Sequence, residues 1–339
     1  MTVTMRFKGS NVEETKALYM MVHNKNVEEQ RKYSGYVFEK LTDKVVCVSP
    51  QATIEINDLP QDVSTQTTLE YCEDGTVVRL YNYNNEWYTA TNRCINAKES
   101  FWANTSSFHD LFFEVFDKQD LDDLDINFTY IFILLHKDNR IVVRHNTNTL
   151  VYLGKMFNSL DTNNKIHLEN LFERNPLIKL PESIEYSPDM TLEELFTPLK
   201  RGLIIKAKDT ADVYRIDFEK YKEAKQVRGN TPNIKLRIIE LAKESSYMLE
   251  VFRNTFSEHI CEVDKVMSKL DNLVNSIYKL YVDSHIKHKV QVGESNLYYR
   301  TLKQLHAQYK TTGVPISVDA VKAKIFSLDK FVIYNLCEL

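Results

Sequence analysis

Residues 69–93 read LEYCEDGTVVRLYNYNNEWYTATNR. Apolar and polar residues alternate on both sides of EDGT, and the alternation resumes after Asn84-Asn85. This is the pattern of half-buried strands punctuated by turn formers. Asp74-Gly75 is a dipeptide favoured in tight hairpins, because glycine adopts positive φ without a Cβ clash. The expectation is a hairpin with Cys72 at an exposed corner, ahead of two acidic residues.

The same period-2 signal extends outward from this stretch. YVFEKL, KVVCV, ATIEI and TTLEYC precede it, and NFTYIFILL (127–135) reads as a buried central strand. HKDNR turns that strand into IVVRH (141–145), expected as another strand, and TLVYLGKMF follows. Upstream, VEETKALYMMVHNK (12–25) places Leu18, Met21 and Val22 on one face and is expected as a short helix. SSFHDLFFEVF (106–116) also has helical spacing, and the acidic run DKQDLDDLD reads as a solvated loop. Thr191 caps a second short helix, TLEELFTPLK, with Glu194 at the capping-box distance. RGLIIKAKD and DVYRIDF form a strand pair.

After Arg228-Gly229-Asn230 the period changes. Val263, Val266, Met267, Leu270, Leu273, Val274, Ile277 and Tyr281 follow helical spacing, and three further helical segments complete the chain. The reading is α+β: a mixed, largely antiparallel-sheet domain over 1–230 and an all-helical domain over 231–339. Of 339 residues, 43% are hydrophobic, enough for substantial cores, and the net charge is −4. The segment after residue 230 carries 15 basic and 12 acidic side chains, leaving −7 on the part before it. Five cysteines without CxxC pairing suit a reducing compartment. MTVTMRFKGS has no apolar signal core and no run approaches a membrane span, so a soluble, cytoplasmic protein is expected.

Four segments, in order, resemble the nucleotidyltransferase motifs of ATP-dependent RNA ligases of the phage type, which carry a helical C-terminal domain. CEDGT (72–76) is similar to the first motif, lysine-x-Asp-Gly, and YIFILLHKDNRIVV (130–143) to the third. RGLIIK (201–206) is similar to the fourth, Glu-Gly-aliphatic-Val-aliphatic-Lys, and YRIDFEKY (214–221) to the fifth, Lys-x-Lys. The chain also resembles large-DNA-virus proteins with a GTxxRLFxxNxxWxxxT pattern, seen here as GTVVRLYNYNNEWYTAT followed by CINAKESFW.

In the family resembled, the first-motif lysine attacks the ATP α-phosphate through a free amine. Here that position is Cys72, whose thiol is expected to be held protonated by Glu73 and Asp74. The third-motif glutamate position is Ile133, the fourth is Arg201, and the fifth-motif lysines fall at Arg215 and Asp217. An arginine in place of a carboxylate opposes Mg²⁺. The framework positions Asp74, Gly75, Phe132, Asn139, Arg140, Gly202 and Lys206 match.

The resemblance therefore implies a ligase fold without its covalent chemistry, with no catalytic residue and no metal ligand assigned. Glu73, Asp74, Gly75, Arg79, Arg93, Arg140, Arg201, Lys206 and Arg215 are the expected nucleotide- or RNA-binding residues, in a cleft more cationic than a working ligase's. Tyr81, Tyr83, Trp87, Tyr88 and Trp102 lie nearby in sequence, with both tryptophans expected in the core. The partner is single-stranded or tRNA-like RNA, or a protein of a viral complex, in the host cytoplasm or the virion. Two alternatives stand. One is an active ligase using ATP and Mg²⁺ with a displaced nucleophile such as Lys98 or Lys206. The other is a purely structural viral subunit.

Overall fold

The computed structural model describes residues 11–22, 33–59, 67–102, 106–161, 164–185, 187, 190–207 and 212–339. The start 1–10, the end of the expected first helix (23–25) and residues 208–209 of RGLIIKAKD lie outside the described residues. The chain divides into a unit of residues 1–223 and a unit of residues 224–339. The first holds the strands and the second is helical, which is the α+β arrangement expected.

Fourteen strands are described in the first unit, in three sheets. The first is antiparallel: β1 (Asn11–Glu14), β2 (Leu18–Val22), β3 (Val37–Glu39) and β4 (Val45–Cys47), in that order. The second contains β7 (Thr76–Tyr83), β8 (Glu86–Ala90), β9 (Phe128–Leu135), β10 (Thr149–Phe157) and β11 (Ile178–Lys179), ordered β11-β10-β9-β7-β8. The third contains β5 (Ile54–Glu55), β6 (Thr67–Cys72), β12 (Ser183–Ile184), β13 (Gly202–Ala207) and β14 (Val213–Asp217), ordered β12-β6-β13-β14-β5. A capping box between Ser107 and Asp110 starts helix α1 (Phe108–Phe113). Its phenylalanines pack with Phe116, Phe132, Tyr152 and Phe172 in an aromatic core against the second sheet. Thr191 and Glu194 form the expected capping box of α2 (Leu192–Leu195).

Three local expectations are corrected. The segment expected as a helix from residue 12 is the β1–β2 hairpin, with Asn11 opposite Val22. Leu18 and Met20 enter one hydrophobic cluster while Tyr19 and Met21 enter another. A strand buried on both faces shows no alternation, so the sequence pattern imitates a helical stripe. Second, EDGT is not a hairpin turn: β6 and β7 belong to different sheets, and Asp74-Gly75 carries the chain from one to the other. Gly75 does not have positive φ. A Cβ there would stand 2.5 Å from the Leu134 carbonyl oxygen and 2.6 Å from Ile133 Cγ2, so close backbone approach is what requires glycine. Third, IVVRH forms no strand, and the acidic run after Phe116 is a short 3₁₀ helix, Lys118–Asp123.

The second unit contains α4 (Ile234–Glu244), α5 (Ser246–Thr255), α6 (Ile260–Tyr281), α7 (Tyr299–Thr312), α8 (Val318–Phe326) and α9 (Lys330–Leu336), entered through α3 (Glu219–Arg228). Val263, Val266, Leu270, Leu273, Val274, Ile277 and Tyr281 of α6 are all buried in one core with Leu302, Leu305, Val321, Ile325 and Ile333. Among the described residues no helix is long and apolar enough to cross a membrane, and all five cysteines are free.

Gly202 gives a test of the third sheet. A Cβ there would lie 1.8 Å from the Ile216 carbonyl oxygen on the neighbouring strand. Gly202→Ala should cost about 3 kcal/mol, since backbone must move. Gly293→Ala, with nothing within 4 Å, should change stability by no more than about 0.5 kcal/mol. Urea denaturation of both variants checks the contrast.

Candidate functional site

Cys72 ends β6, and its carbonyl accepts from Arg201 N at 2.9 Å, so the first and fourth resembling segments lie side by side. Gly202 is opposite Cys72 on one side and Asp217 on the other, bringing in the fifth. The third arrives through Ile133, which faces the space that a Gly75 Cβ would fill. Ile133 is a half-buried residue in a strand otherwise buried from Thr129 to Leu135. The four segments meet at one place.

Asp74 is the centre of this meeting. It is 1% exposed. Its Oδ2 accepts from Val142 N and Val143 N, each at 2.8 Å, and its Oδ1 accepts from Tyr221 OH at 2.5 Å. The His145 ring donates to its carbonyl at 2.8 Å. This explains the missing IVVRH strand: two backbone amides that a ladder would use are held by a buried carboxylate. Asn139, also buried, donates to Thr76 Oγ1 at 2.9 Å and fixes the preceding turn.

Cys72 is buried, 8% exposed, rather than at an exposed corner. Burial is the largest influence on its thiol, whose pKa is pushed up to about 11. Arg201 and Arg215 pull it down and Asp217 and Asp74 push it up, each less than burial does. The expected direction holds, but desolvation rather than the adjacent acids causes it, and Glu73 is turned to Lys200.

The cations of the site are engaged by carboxylates. Arg201 binds Asp217 through Nε at 2.7 Å and Nη2 at 2.8 Å. Asp217 is buried, 5% exposed, and also accepts from Arg215 Nε at 2.9 Å. Arg215 continues to Thr53 Oγ1 at 2.7 Å and Glu55 at 2.9 Å. Lys206 sits on both oxygens of Glu70 at 2.7 Å. Lys200 bridges Glu73 and Glu182. Burial lowers the pKa of the Lys200 ammonium, but its bonds to these two carboxylates outweigh that and hold it above the ordinary lysine value. The guanidinium of Arg201 also lies 5.3 Å from the centre of the Tyr221 ring.

Of the remaining expected residues, Arg140 stays beside Asp74 while Arg79 and Arg93 fall elsewhere. Arg79 is fully buried and donates to the carbonyls of Gly35, Val48 and Thr91, which places it in the interior rather than on a cleft wall. Arg140 Nε donates to Val142 O at 2.9 Å in the loop that wraps Asp74. Arg93 is exposed in the turn after β8. Tyr81 is fully buried, and Trp87 and Trp102 pack against the aromatic core. Lys98 is exposed, in the 3₁₀ turn after β8. Lys200 and Tyr221 were not foreseen. Nothing in the spacing around either residue marks it, because their partners Glu73 and Asp74 are more than a hundred residues away in sequence.

Mg²⁺, which the resemblance implies, does not fit these carboxylates. Both oxygens of Asp74 and of Asp217 accept from protein donors, and isoleucine and arginine stand where the resemblance calls for glutamates. Among the described residues no cluster of His, Cys, Asp or Glu is placed to hold a metal ion.

The arrangement is a strand framework with a network of ion pairs at its centre. The chain is similar to two curated relatives, each an "Immediate-early protein ICP-46 homolog". The one from Invertebrate iridescent virus 6 is 23% identical, over 72% of this chain and 58% of the relative. The one from Invertebrate iridescent virus 3 is 25% identical, over 76% of this chain and 61% of the relative. The chain thus spans about three-fifths of the length of these relatives. Among solved structures it is similar to an archaeal ATP-dependent RNA ligase, 11% identical with a TM-score of 0.48, covering 91% of this chain and 94% of that one. No family model matches.

Two measurements probe the site. At pH 8 a thiol of pKa about 11 is ionised in about one molecule per thousand, and Cys72 is also shielded. Iodoacetamide should therefore label exposed Cys261 in the native protein and leave Cys72 untouched until denaturant is added. Arg201→Glu should destabilise the fold by about 3 kcal/mol or more, by leaving two carboxylates together in a mostly buried position. With Asp217→Lys added, the two changes together should cost about 2 kcal/mol less than the sum of the single changes in a double-mutant cycle.

Proposed function

We propose that this protein uses a nucleotidyltransferase framework of the RNA-ligase type without covalent nucleotidyl transfer, and that it holds RNA noncovalently. The observation that carries the reading is the buried, protonated Cys72 at the nucleophile position, beside an Arg201–Asp217 pair in which both charges are opposite to those of the motifs resembled. A thiol cannot make the phosphoramidate on which ligase chemistry runs, and the neighbouring amines are ion-paired to carboxylates: Lys200 to Glu73, and Lys206 to Glu70. Lys98, the other candidate for a displaced nucleophile, is exposed.

RNA is the ligand class because the four segments follow the order and spacing of RNA-ligase motifs and converge in space. The guanidinium and ammonium groups there already have internal partners, so a phosphate must compete with Asp217, Glu55, Glu70 or Glu73 for them. The interaction is accordingly weak in its electrostatic component, with about two phosphates neutralised. The viral relatives support, on this reading, a protein made in an infected host's cytoplasm.

Two experiments test this. Incubation with α-labelled ATP and a divalent metal should leave no acid-labile nucleotide on the protein, whereas an adduct on any lysine would overturn the noncatalytic reading. Binding of single-stranded RNA between 50 and 300 mM salt should weaken with a log–log slope of about −1.4, the value for two contacts on a single strand. Absence of salt-dependent binding would remove RNA and leave the scaffold reading.

A further inference from the structure

The helical unit contains a cavity that the reading above does not use. Helix α6 does not stop cleanly: it runs into a π-turn over Val282–Ile286, and the chain then loops back to start α7 at Tyr299. Between the turn, the loop and the first two turns of α7 lies a cavity of about 580 Å³. Its polar wall is His285, His288 and Lys289 from the turn and loop, with Lys303 and His306 from α7. Val290, Val292 and Leu302 form an apolar wall, with the Tyr299 ring beside them. No carboxylate lines it.

The charge pattern selects the ligand. Two lysine side chains with no acid beside them favour an anion over a cation, and the imidazoles offer it ring N–H donors. The imidazoles are not set out as metal ligands: the His285 and His306 rings lie 4.5 Å apart, and His285 is stacked on Tyr281 at 5.1 Å and 12°. The α7 N-terminus adds to the field, because Tyr298 supplies no side-chain cap and the helix dipole presents positive charge there. His306 Nδ1 is buried and has no hydrogen-bond partner, a cost that a ligand acceptor or donor would remove. His285 Nδ1 is already bonded to Ser284 Oγ at 2.7 Å. The apolar wall and the Tyr299 ring offer a surface for a flat base, and the volume suits a molecule of nucleotide size.

We propose that this cavity is a binding site for a nucleoside monophosphate, either free or as the 5′-phosphorylated terminal nucleotide of an RNA. The phosphomonoester sits among Lys289, Lys303 and His306, and the base lies against Val290, Val292 and Tyr299. All of its lining residues belong to the second unit, and it does not depend on the reading of Cys72.

Calorimetric titration of the full chain with AMP, adenosine and inorganic phosphate tests it. AMP should bind at least tenfold more tightly than adenosine and more tightly than phosphate alone. Lys289 and Lys303 are exposed, so Lys289→Ala with Lys303→Ala should leave the circular dichroism spectrum unchanged and weaken AMP at least tenfold. Arg215→Ala, in the other unit, should leave AMP affinity unchanged, so failure here and failure of the RNA reading register separately. Equal binding of AMP and adenosine, no AMP binding, or AMP affinity indifferent to the double lysine variant would each overturn the proposal. A 5′-phosphorylated RNA decamer that matches AMP, while its 5′-hydroxyl counterpart does not, assigns the site to an RNA end. A decamer that fails to bind assigns it to the free nucleotide.

Discussion

A single buried carboxylate organises the strand-rich unit. Asp74 is almost inaccessible, and a carboxyl group in such a place is tolerated only when its oxygens have hydrogen-bond partners. The amides of Val142 and Val143 and the Tyr221 hydroxyl supply them, and these donors come from separate parts of the chain. The crossover between two sheets, the loop after β9 and the helix after β14 are therefore tied to one point. The unstrand-like path of Ile141–His145 and the position of Tyr221 under Arg201 both follow from it.

Around that point the cations are arranged for internal neutralisation. Arg201, Arg215, Lys206 and Lys200 each meet a carboxylate within the same group of strands. Arg79 has backbone carbonyls instead, a costly arrangement for a fully buried guanidinium that its several acceptors partly offset. The cleft expected to be strongly basic is thus electrostatically closed. Charge reversal at Arg201, read alone, suggested an exposed positive wall. Read with Asp217 on the next strand, it is one half of a matched pair.

Much of the architecture was legible where one physical rule acts locally. The strands from Thr67 to Ala90, the apolar run ending at Leu135, the capping box at Thr191 and the stripe along α6 follow from alternation, capping geometry and helical spacing. Misreadings arose where tertiary partners decide. β2 is apolar on both faces because two clusters receive it, so no period separated strand from helix. Asp74-Gly75 has the composition of a hairpin turn, yet its glycine answers to backbone crowding from β9, which no local pattern encodes. The convergence of four motif segments was legible from their order. The reach of Lys200 to Glu73 and of Tyr221 to Asp74 was not, because those contacts exist only once the sheets have closed.

The reciprocal satisfaction of Arg201 and Asp217 also constrains how this surface can change over evolutionary time. Neither position can reverse its charge by itself without first placing like charges in contact. A change here would have to cross a valley of poorly folded intermediates unless both side chains were exchanged together. The pair behaves as a lock: it keeps the framework intact by making its two halves change only in concert.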